Sequence, residues 1–232
     1  MDEARALIRE IEEELADVDR EICEHPYPGL FEEEAVSLDA LTPYVAEEFY
    51  IAQSDLRSFA KMTQRFGEEP DVRDFFFGVY RSEARAVEGL FRLADRLGHP
   101  PGELKAYEPH HGAFGYAAYV GWCALYATAA EVAAALLVNF AAWGHNCGRI
   151  SRAVKSRYGL DEADAVYMDV FAELEPFEEP ATAIVQDGLD RGVPARKIRR
   201  ACRLFQDYEK QFWDTCLALA RRRHGAPSPE TS

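Results

Sequence analysis

The sequence predicts an all-α fold in a single domain. Along most of the 232 residues, apolar side chains recur three and four positions apart, which is the spacing of one buried helix face. No stretch alternates apolar and polar residues between turn signals, as a half-buried strand does. Proline and glycine separate the periodic stretches, and nothing resembling an interdomain linker interrupts the chain. We expect seven to nine helices.

The first two predicted helices lie on either side of a proline-rich break. Residues 3–23 carry apolar side chains at helical spacing with charged residues between them, the pattern of an amphipathic helix laid on the body of a protein. The HPYPG segment at 25–29 should break the chain here, because proline and glycine are unfavourable inside helices. Ser37 is placed to cap a second helix over residues 38–63.

The middle of the chain predicts three helices. Pro70 opens the first, which ends at the glycines and prolines of 98–102. The second, at 113–127, is rich in Tyr and Ala. The third, at 129–152, is rich in Ala and Leu in its first half, so neighbouring helices can pack close to it on several sides.

The last third of the chain predicts three more helices. They cover residues 161–174 and 180–191, and a long final helix begins at Pro194. The end of the chain, GAPSPETS, has no side chains suited to packing in a core and should be disordered. We expect three parts: an N-terminal helix packed on the body (1–24), one helical domain (25–224) and a disordered tail (225–232).

The helix at 129–152 places polar side chains in an apolar setting. Asn139, Trp143 and Asn146 fall four and three residues apart and share one face, while His145 lies on the adjoining face. A buried amide or imidazole without a partner costs about 1–3 kcal/mol. These groups therefore need either partners within the protein or a ligand.

Composition excludes several classes of protein. A formal net charge of −15 argues against general binding to nucleic acid or to anionic membranes. The five cysteines are scattered without zinc-ligand spacing, which indicates reduced, buried thiols. The N-terminus lacks the apolar core of a signal peptide, and no stretch has the roughly 20 apolar residues of a membrane span. We therefore expect a cytoplasmic protein.

Carboxylates and aromatic residues are predicted to meet in a pocket. Glu48, Glu83 and Glu209 each lie on an otherwise apolar or aromatic helix face, and Glu209 has Phe205, Phe212 and Trp213 around it. An acid enclosed by aromatic rings has a raised pKa and can donate a proton at neutral pH. A second carboxylate could hold a heterocycle that bears amino groups. The walls expected for such a flat ring are Tyr50, Tyr116 and Trp143.

Five segments resemble the TenA/THI-4 family, the thiaminase II group within the haem-oxygenase-like helical fold. They are HPYPGL at 25–30, PYVAEEFYIA at 43–52, the Tyr-rich helix with Tyr116, AEVAAALLVNFAAWG at 130–144 and YEKQFW at 208–213. The last is the most specific, since the family has a closely similar run on its final helix. The resemblance extends from about residue 25 to about residue 219 and implies a haem-oxygenase-like helical bundle.

The resemblance also implies roles for individual residues. Glu209 corresponds to the catalytic acid/base of the family, Glu48 to its pyrimidine-binding Asp, and Tyr116 to one of its active-site tyrosines. The nucleophilic Cys of the family falls at Asn139, whose carboxamide is not a useful nucleophile. A second family tyrosine, expected near Leu174, is absent there.

A different branch of the same fold remains as an alternative. The stretch NFAAWGHNCGRI, with His145, is similar to the corresponding helix of the PqqC branch, whose members are oxidases without a cofactor. A di-iron site is not supported, because histidine ligands are too few. Haem binding lacks a credible axial ligand early in the chain, with His25 the one residue left to consider. We expect no metal and no cofactor.

The sequence thus predicts a protein that binds, and hydrolyses, a thiamin-related aminopyrimidine or a similar small aromatic compound. Glu209 and Glu48 would be catalytic, with a water oriented by Asn139 or a nearby carboxylate in place of the missing thiol. The expected ligand-binding residues are Tyr50, Glu83, Tyr116, Asn139, Trp143 and His145. The alternatives are a PqqC-like oxidase or other enzyme on this fold, and a non-catalytic binding or regulatory protein. Self-association into a homodimer or homotetramer is expected, as is usual in the family.

Overall fold

The computed structural model describes residues 1–174 and 177–223. Within these ranges the chain forms ten α-helices and one 3-10 helix without any strand, which confirms the all-α prediction. The expected disordered tail at 225–232 lies outside the described residues. The elements are α1 (Asp2–Cys23), α2 (Pro26–Glu32), the 3-10 helix (Leu38–Leu41), α3 (Thr42–Phe66), α4 (Pro70–Arg96), α5 (Pro101–Ala106), α6 (His111–Tyr126), α7 (Ala129–Arg157), α8 (Glu162–Ala172), α9 (Glu178–Asp190) and α10 (Ala195–Arg223).

Two short helices raise the number above the expected seven to nine. The proline segments after α1 and α4 do end those helices, but each then opens a helix of its own, α2 and α5. Proline is tolerated in the first turn of a helix, where its missing N–H has no intrahelical partner. The ring of His25 caps α2 by accepting a hydrogen bond from the Tyr27 N–H.

The helix expected at 38–63 begins with a 3-10 turn, and α3 starts only at Thr42 with Pro43 in its first turn. Ser37 makes no capping hydrogen bond through its side chain. By contrast, α7 begins at a complete capping box, in which Thr128 and Glu131 each bond the backbone N–H of the other.

The longest stretch of small residues, α7, is the centre of the packing. It contacts α10, α8, α9, α1 and α2, while α3 packs between α4 and α6. Helix α8 lies against both α4 and α7, and α6 against α10. A space enclosed by α3, α4, α6, α7, α8 and α10 remains in the interior. No helix in the described part of the chain is both long enough and apolar enough to cross a membrane.

Two glycines bring α8 close to its neighbours. A Cβ atom at Gly89 would lie 2.6 Å from the backbone nitrogen of Tyr167, and one at Gly144 would lie 2.6 Å from the carbonyl oxygen of Phe171. Real Cβ atoms do not approach backbone this closely, so α4 and α7 need glycine where α8 crosses them. Tyr167 and Phe171 are thereby held against the interior space.

Candidate active site

The interior space is a cavity lined by acids, amides and aromatic rings. Its volume is about 30 Å³, which holds one or two water molecules. An engineered apolar cavity that binds benzene has a volume of about 150 Å³, so a ring enters this much smaller cavity only if side chains move. The lining residues are Glu48, Ile51, Asp55, Glu83, Tyr116, Asn139, Phe140, Trp143, Tyr167, Phe171, Glu209 and Phe212.

Glu209 of α10 is buried in this cavity and held by two donors. The indole N–H of Trp213 donates to Oε1 at 3.0 Å, and the Nδ2 amide of Asn139 donates to Oε2. Burial raises the pKa of Glu209 to about 8, although these two hydrogen bonds oppose the rise. The carboxyl group can therefore both give and accept a proton near neutral pH.

The carboxamide of Asn139 is already committed to protein partners. Its Nδ2 group donates to Glu209 and, at 2.7 Å, to Oε1 of Gln206, so both hydrogens are used. Its Oδ1 atom accepts a hydrogen bond from the Tyr116 hydroxyl at 2.9 Å. In this arrangement the side chain of Asn139 holds the Glu209 carboxyl group in position.

Glu48 of α3 is the second buried acid. The hydroxyl of Tyr167 donates to its Oε2 atom, while Oε1 makes no hydrogen bond to any described residue. Burial raises the pKa of Glu48 to about 8; the Tyr167 bond opposes this, and Glu83 and Glu209 add to it. A group that presents a hydrogen-bond donor to Oε1 would complete its coordination.

Two more acids, Asp55 and Glu83, line the same cavity. Burial raises the pKa of Glu83 to about 8. Burial, and then the charges of Glu83 and Glu48, raise the pKa of Asp55 well above its ordinary value. Within the described residues, no Lys, Arg or His forms an ion pair with any of the four cavity acids. The site is therefore an acidic cavity with no cation of its own.

Aromatic rings close the cavity on several sides. Trp143 lies edge-on to Phe171, with ring centroids 5.8 Å apart, and to Phe212, at 5.5 Å. Behind them, Tyr44 stacks against both Trp143 and Trp213 at about 6 Å. Such packing fixes the walls, and their faces suit a flat ring.

A larger groove adjoins the cavity. It has a volume of about 890 Å³ and runs between α4 and α9. Glu83, Phe140 and Phe171 line both the groove and the cavity, so they form the wall between them. Phe140 and Phe171 also contact each other edge-on, with centroids 6.2 Å apart. Movement of these rings would connect the cavity to solvent through the groove.

The structure brings together most of the predicted site residues. Glu48, Glu83, Tyr116, Asn139, Trp143 and Glu209 all line the cavity. Tyr50 and His145 do not, which corrects their placement. Tyr50 is 40% exposed and contacts Phe114 on the outside, because two residues after Glu48 the helix faces the other way. His145 follows Trp143 by two positions and lines a surface depression with Arg152.

Sequence reasoning missed Tyr167, Phe171 and Asp55. The resemblance implies a family tyrosine near Leu174, whereas the structure places Tyr167, two turns earlier on α8, in the cavity beside Tyr116. Phe171 lies one turn after Tyr167, and this four-residue spacing of aromatic side chains on α8 is a signal that could have identified both. Asp55 follows Glu48 by seven residues and so shares its face, but an acid at such a position is usually solvated.

The described residues offer no group of three or more His, Cys, Asp or Glu side chains arranged to hold a metal ion. His25, considered above as a haem ligand, has both ring nitrogens engaged. Nδ1 accepts from the Tyr27 N–H, and Nε2 lies 3.2 Å from the carboxylate of Asp214. Its bonds are those of a helix cap.

Comparisons with known proteins agree with this architecture. The model of the TENA/THI-4/PQQC family matches residues 12–218. A TenA homologue from Pseudomonas syringae pv. tomato superposes with a TM-score of 0.76 and 13% identity, over 90% of this chain and 91% of its own. A TenA homologue from Pyrococcus furiosus superposes with a TM-score of 0.71 and 18% identity, over 90% of this chain and 99% of its own. A TenA homologue from P. horikoshii superposes with a TM-score of 0.72 and 16% identity, over 90% of this chain and 97% of its own. A search among curated proteins gave no match. At these identities the structural likeness establishes the fold.

Proposed function

The chain belongs to the TENA/THI-4/PQQC family, and we propose that its cavity binds an aminopyrimidine or a related small nitrogen heterocycle and promotes its hydrolysis. One observation carries this proposal: two buried carboxyl groups, Glu48 and Glu209, share one aromatic-walled cavity, and each has a pKa raised to about 8. Perturbed acids in a cavity are typical of sites that transfer protons.

Glu48 is suited to anchor the ring. Near neutral pH a carboxyl group with a pKa of about 8 is largely protonated, so it donates from one oxygen and accepts at the other. An aminopyrimidine presents the complementary pair, a ring nitrogen that accepts and an amino group that donates. Tyr167 occupies one lone pair of Oε2, so a protonated Oε1 can donate to the ring nitrogen while the second lone pair of Oε2 accepts from the amino group.

Glu209 is suited to move protons during hydrolysis. In its ionised form it takes a proton from a water molecule as the water oxygen attacks the carbon that bears the leaving group. The bonding electrons depart with the leaving group, to which the protonated Glu209 then returns the proton. Trp213 and Asn139 hold the carboxyl group in one orientation through both steps.

Water takes the place of a thiol nucleophile in this scheme. Asn139 stands where the resemblance to the family places a cysteine, and its amide hydrogens are both engaged by Glu209 and Gln206. Opening of the wall at Phe140 and Phe171 would admit the ligand from the groove.

A second candidate function is ligand binding without turnover. The observation that favours it is the same Asn139, since a residue that only positions Glu209 leaves no side-chain nucleophile in the cavity. The PqqC-like alternative has less support, because His145, the residue on which it depended, lies outside the cavity.

Binding can be tested with a matched pair of variants. Glu48 and its neighbour Glu47 are both buried, but Glu47 bonds Tyr107 and His110 outside the cavity. By calorimetry, Glu48→Leu, which removes both the donor and the acceptor, should weaken the binding of 4-aminopyrimidine about tenfold, since each lost hydrogen bond contributes about 0.5–1.5 kcal/mol. Glu47→Leu should leave the affinity unchanged. Equal affinities in all three proteins would rule out Glu48 as the anchor.

We also propose that the chain self-associates through the outer face of α6. Phe114, Trp122 and Tyr126 are each at least 40% exposed on this face, and Tyr50 of α3 packs against Phe114. Exposed aromatic side chains grouped in this way are typical of an interface. A second copy of the chain is the proposed partner.

A cytoplasmic location is proposed on the basis of the cysteines. All five are free thiols, and four of them are buried. Unpaired thiols persist where the surroundings are reducing.

A further inference from the structure

Asp55 and Glu83 form an acidic pair that the proposed chemistry does not use. Asp55 lies on α3, seven residues beyond Glu48, so the two share one face with their Cα atoms about 10 Å apart along the helix. Glu83 reaches the cavity from α4, which packs directly against α3. The acidic lining thus extends well past the Glu48 carboxyl group.

Asp55 lacks the partner that a structural role would give it. Only 4% of the residue is exposed, and its Oδ1 atom accepts no hydrogen bond. Buried polar atoms in native proteins are almost always bonded, because an unbonded one destabilises the fold. An unsatisfied carboxyl oxygen that faces a cavity therefore indicates a donor supplied from outside the chain.

Glu83 has no partner of its own either. Its carboxyl group forms no hydrogen bond and no ion pair with any residue in the described ranges, although the residue is buried, with only 6% of its surface exposed. The two acids also repel each other when ionised, as the rise in the pKa of Asp55 caused by Glu83 indicates. A cation placed between them would remove that repulsion and supply donors to both.

We propose that Asp55 and Glu83 bind a protonated amine, or another cationic nitrogen group, carried by the ligand whose ring lies against Glu48 and Glu209. The position of the ring rests on the proposed function, whereas the position of the amine rests on Asp55 and Glu83 alone. The predicted ligand class is a nitrogen heterocycle with a basic arm.

The spacing along α3 places the amine on an arm of the ligand and not on the ring itself. The Cα atoms of Glu48 and Asp55 lie about 10 Å apart along the helix, so a ring anchored at Glu48 needs a flexible arm of several bonds to bring its amine to Asp55. Glu83 also lines the outer groove, which places the basic end of the ligand beside the wall through which it would enter.

The test compares three probes by isothermal titration calorimetry at pH 7. They are 4-aminopyrimidine, 4-amino-5-(3-aminopropyl)pyrimidine and its 3-hydroxypropyl counterpart. The proteins are the wild type, Asp55→Asn, Glu83→Gln, the double variant and Glu88→Gln, which removes an exposed acid from the same helix as Glu83. Circular dichroism confirms that each variant is folded. If one of the substitutions prevents folding, the other single variant still decides the outcome.

The wild type and Glu88→Gln should bind the aminopropyl probe at least about tenfold more tightly than the hydroxypropyl probe. Each single variant should reduce this preference, and the double variant should abolish it. A wild type without the preference, or a double variant that retains it, would overturn the proposal, as would failure of the aminopropyl probe to bind at all.

The same data separate the two proposals. If 4-aminopyrimidine does not bind but the aminopropyl probe binds through Asp55 and Glu83, the amine site stands and the proposed function fails. If 4-aminopyrimidine binds the wild type and the amine brings no gain, the amine site is refuted, whereas the proposed function stands and is tested separately by the Glu48 variant.

Discussion

The Nδ2 amide of Asn139 on α7 donates a hydrogen bond to Oε2 of Glu209 on α10. The residue that replaces the expected cysteine nucleophile is therefore the one that orients the acid. The same amide bonds Gln206, and its carbonyl oxygen accepts from Tyr116, so one side chain ties α6, α7 and α10 together at the cavity.

Asn139→Leu should raise the pKa of Glu209 further, because it removes a donor that favours the ionised form. It should also lower the free energy of unfolding by about 2 kcal/mol, since Glu209, Gln206 and Tyr116 each lose a buried partner. Carboxyl-carbon NMR across a pH titration measures the first effect, and urea denaturation measures the second.

Asn146→Leu is the control for this change. Asn146 lies on the same helix and donates to the carbonyl of Ile22 at 2.7 Å, away from the cavity. It should lose comparable stability while leaving the pKa of Glu209 unchanged. A Glu209 that titrates identically in wild type and Asn139→Leu would show that the amide does not hold the carboxyl group.

The stability of the fold should fall as the pH rises from about 5 to about 8. Glu48, Glu83 and Glu209 have folded-state pKa values of about 8 against an ordinary value of 4.5, so the folded state binds more protons than the unfolded state in this window. Each proton bound in excess changes the free energy of unfolding by about 1.4 kcal/mol per pH unit. The stability is therefore fully present below pH 4.5 and is lost progressively as the pH approaches and passes 8.

Urea denaturation at several pH values measures this dependence. Other acids of this strongly negative chain also contribute to the pH dependence of the free energy of unfolding, so the comparison between variants is the decisive measurement. Glu83→Gln should give a shallower slope than the wild type, because one titrating group is gone, whereas the exposed Glu88→Gln should keep the wild-type slope. Identical slopes in all three proteins would mean that Glu83 is ionised in the fold at neutral pH.

Self-association should depend on the outer face of α6. The double substitution Trp122→Glu/Tyr126→Glu places two charges in that face and should convert a dimer or tetramer to monomer. Phe77→Glu, at an aromatic residue of α4 that is 48% exposed, is the matched control and should leave the oligomer intact. Light scattering at micromolar concentration measures the molar mass of each protein in solution. A monomeric wild type would refute the interface.

Local patterns in the sequence predict the fold and the part of the site that lies outside α8. Helix periodicity and terminators define the long helices, and the three- and four-residue spacing of polar groups correctly places Asn139 and Trp143 on one inward face. Tyr50 and His145 were misplaced, because the side on which a helix faces the cavity follows from tertiary packing and not from proximity in sequence.

The α8 side of the site could not be derived in the same way. Tyr167 reaches Glu48 only because α8 crosses α4 and α7 at Gly89 and Gly144, two contacts between distant segments. Local patterns carry no information about such crossings. The unsatisfied oxygen of Asp55 is likewise a property of the assembled cavity.

If Glu209 acts as the acid/base on a heterocycle bound in this cavity, Glu209→Gln should abolish the reaction without abolishing binding. Loss of thiamin and of aminopyrimidines is followed by chromatography for wild type and variant, with binding measured in parallel by calorimetry. We expect turnover by the wild type and a loss of about 10²–10⁴-fold in turnover by Glu209→Gln. The affinity of the variant should be nearly unchanged, because the amide keeps the shape of the carboxyl group but cannot transfer a proton. Wild type and variant that both bind without turnover would contradict catalysis in favour of the binding protein, and a variant as active as the wild type would exclude Glu209 from the reaction.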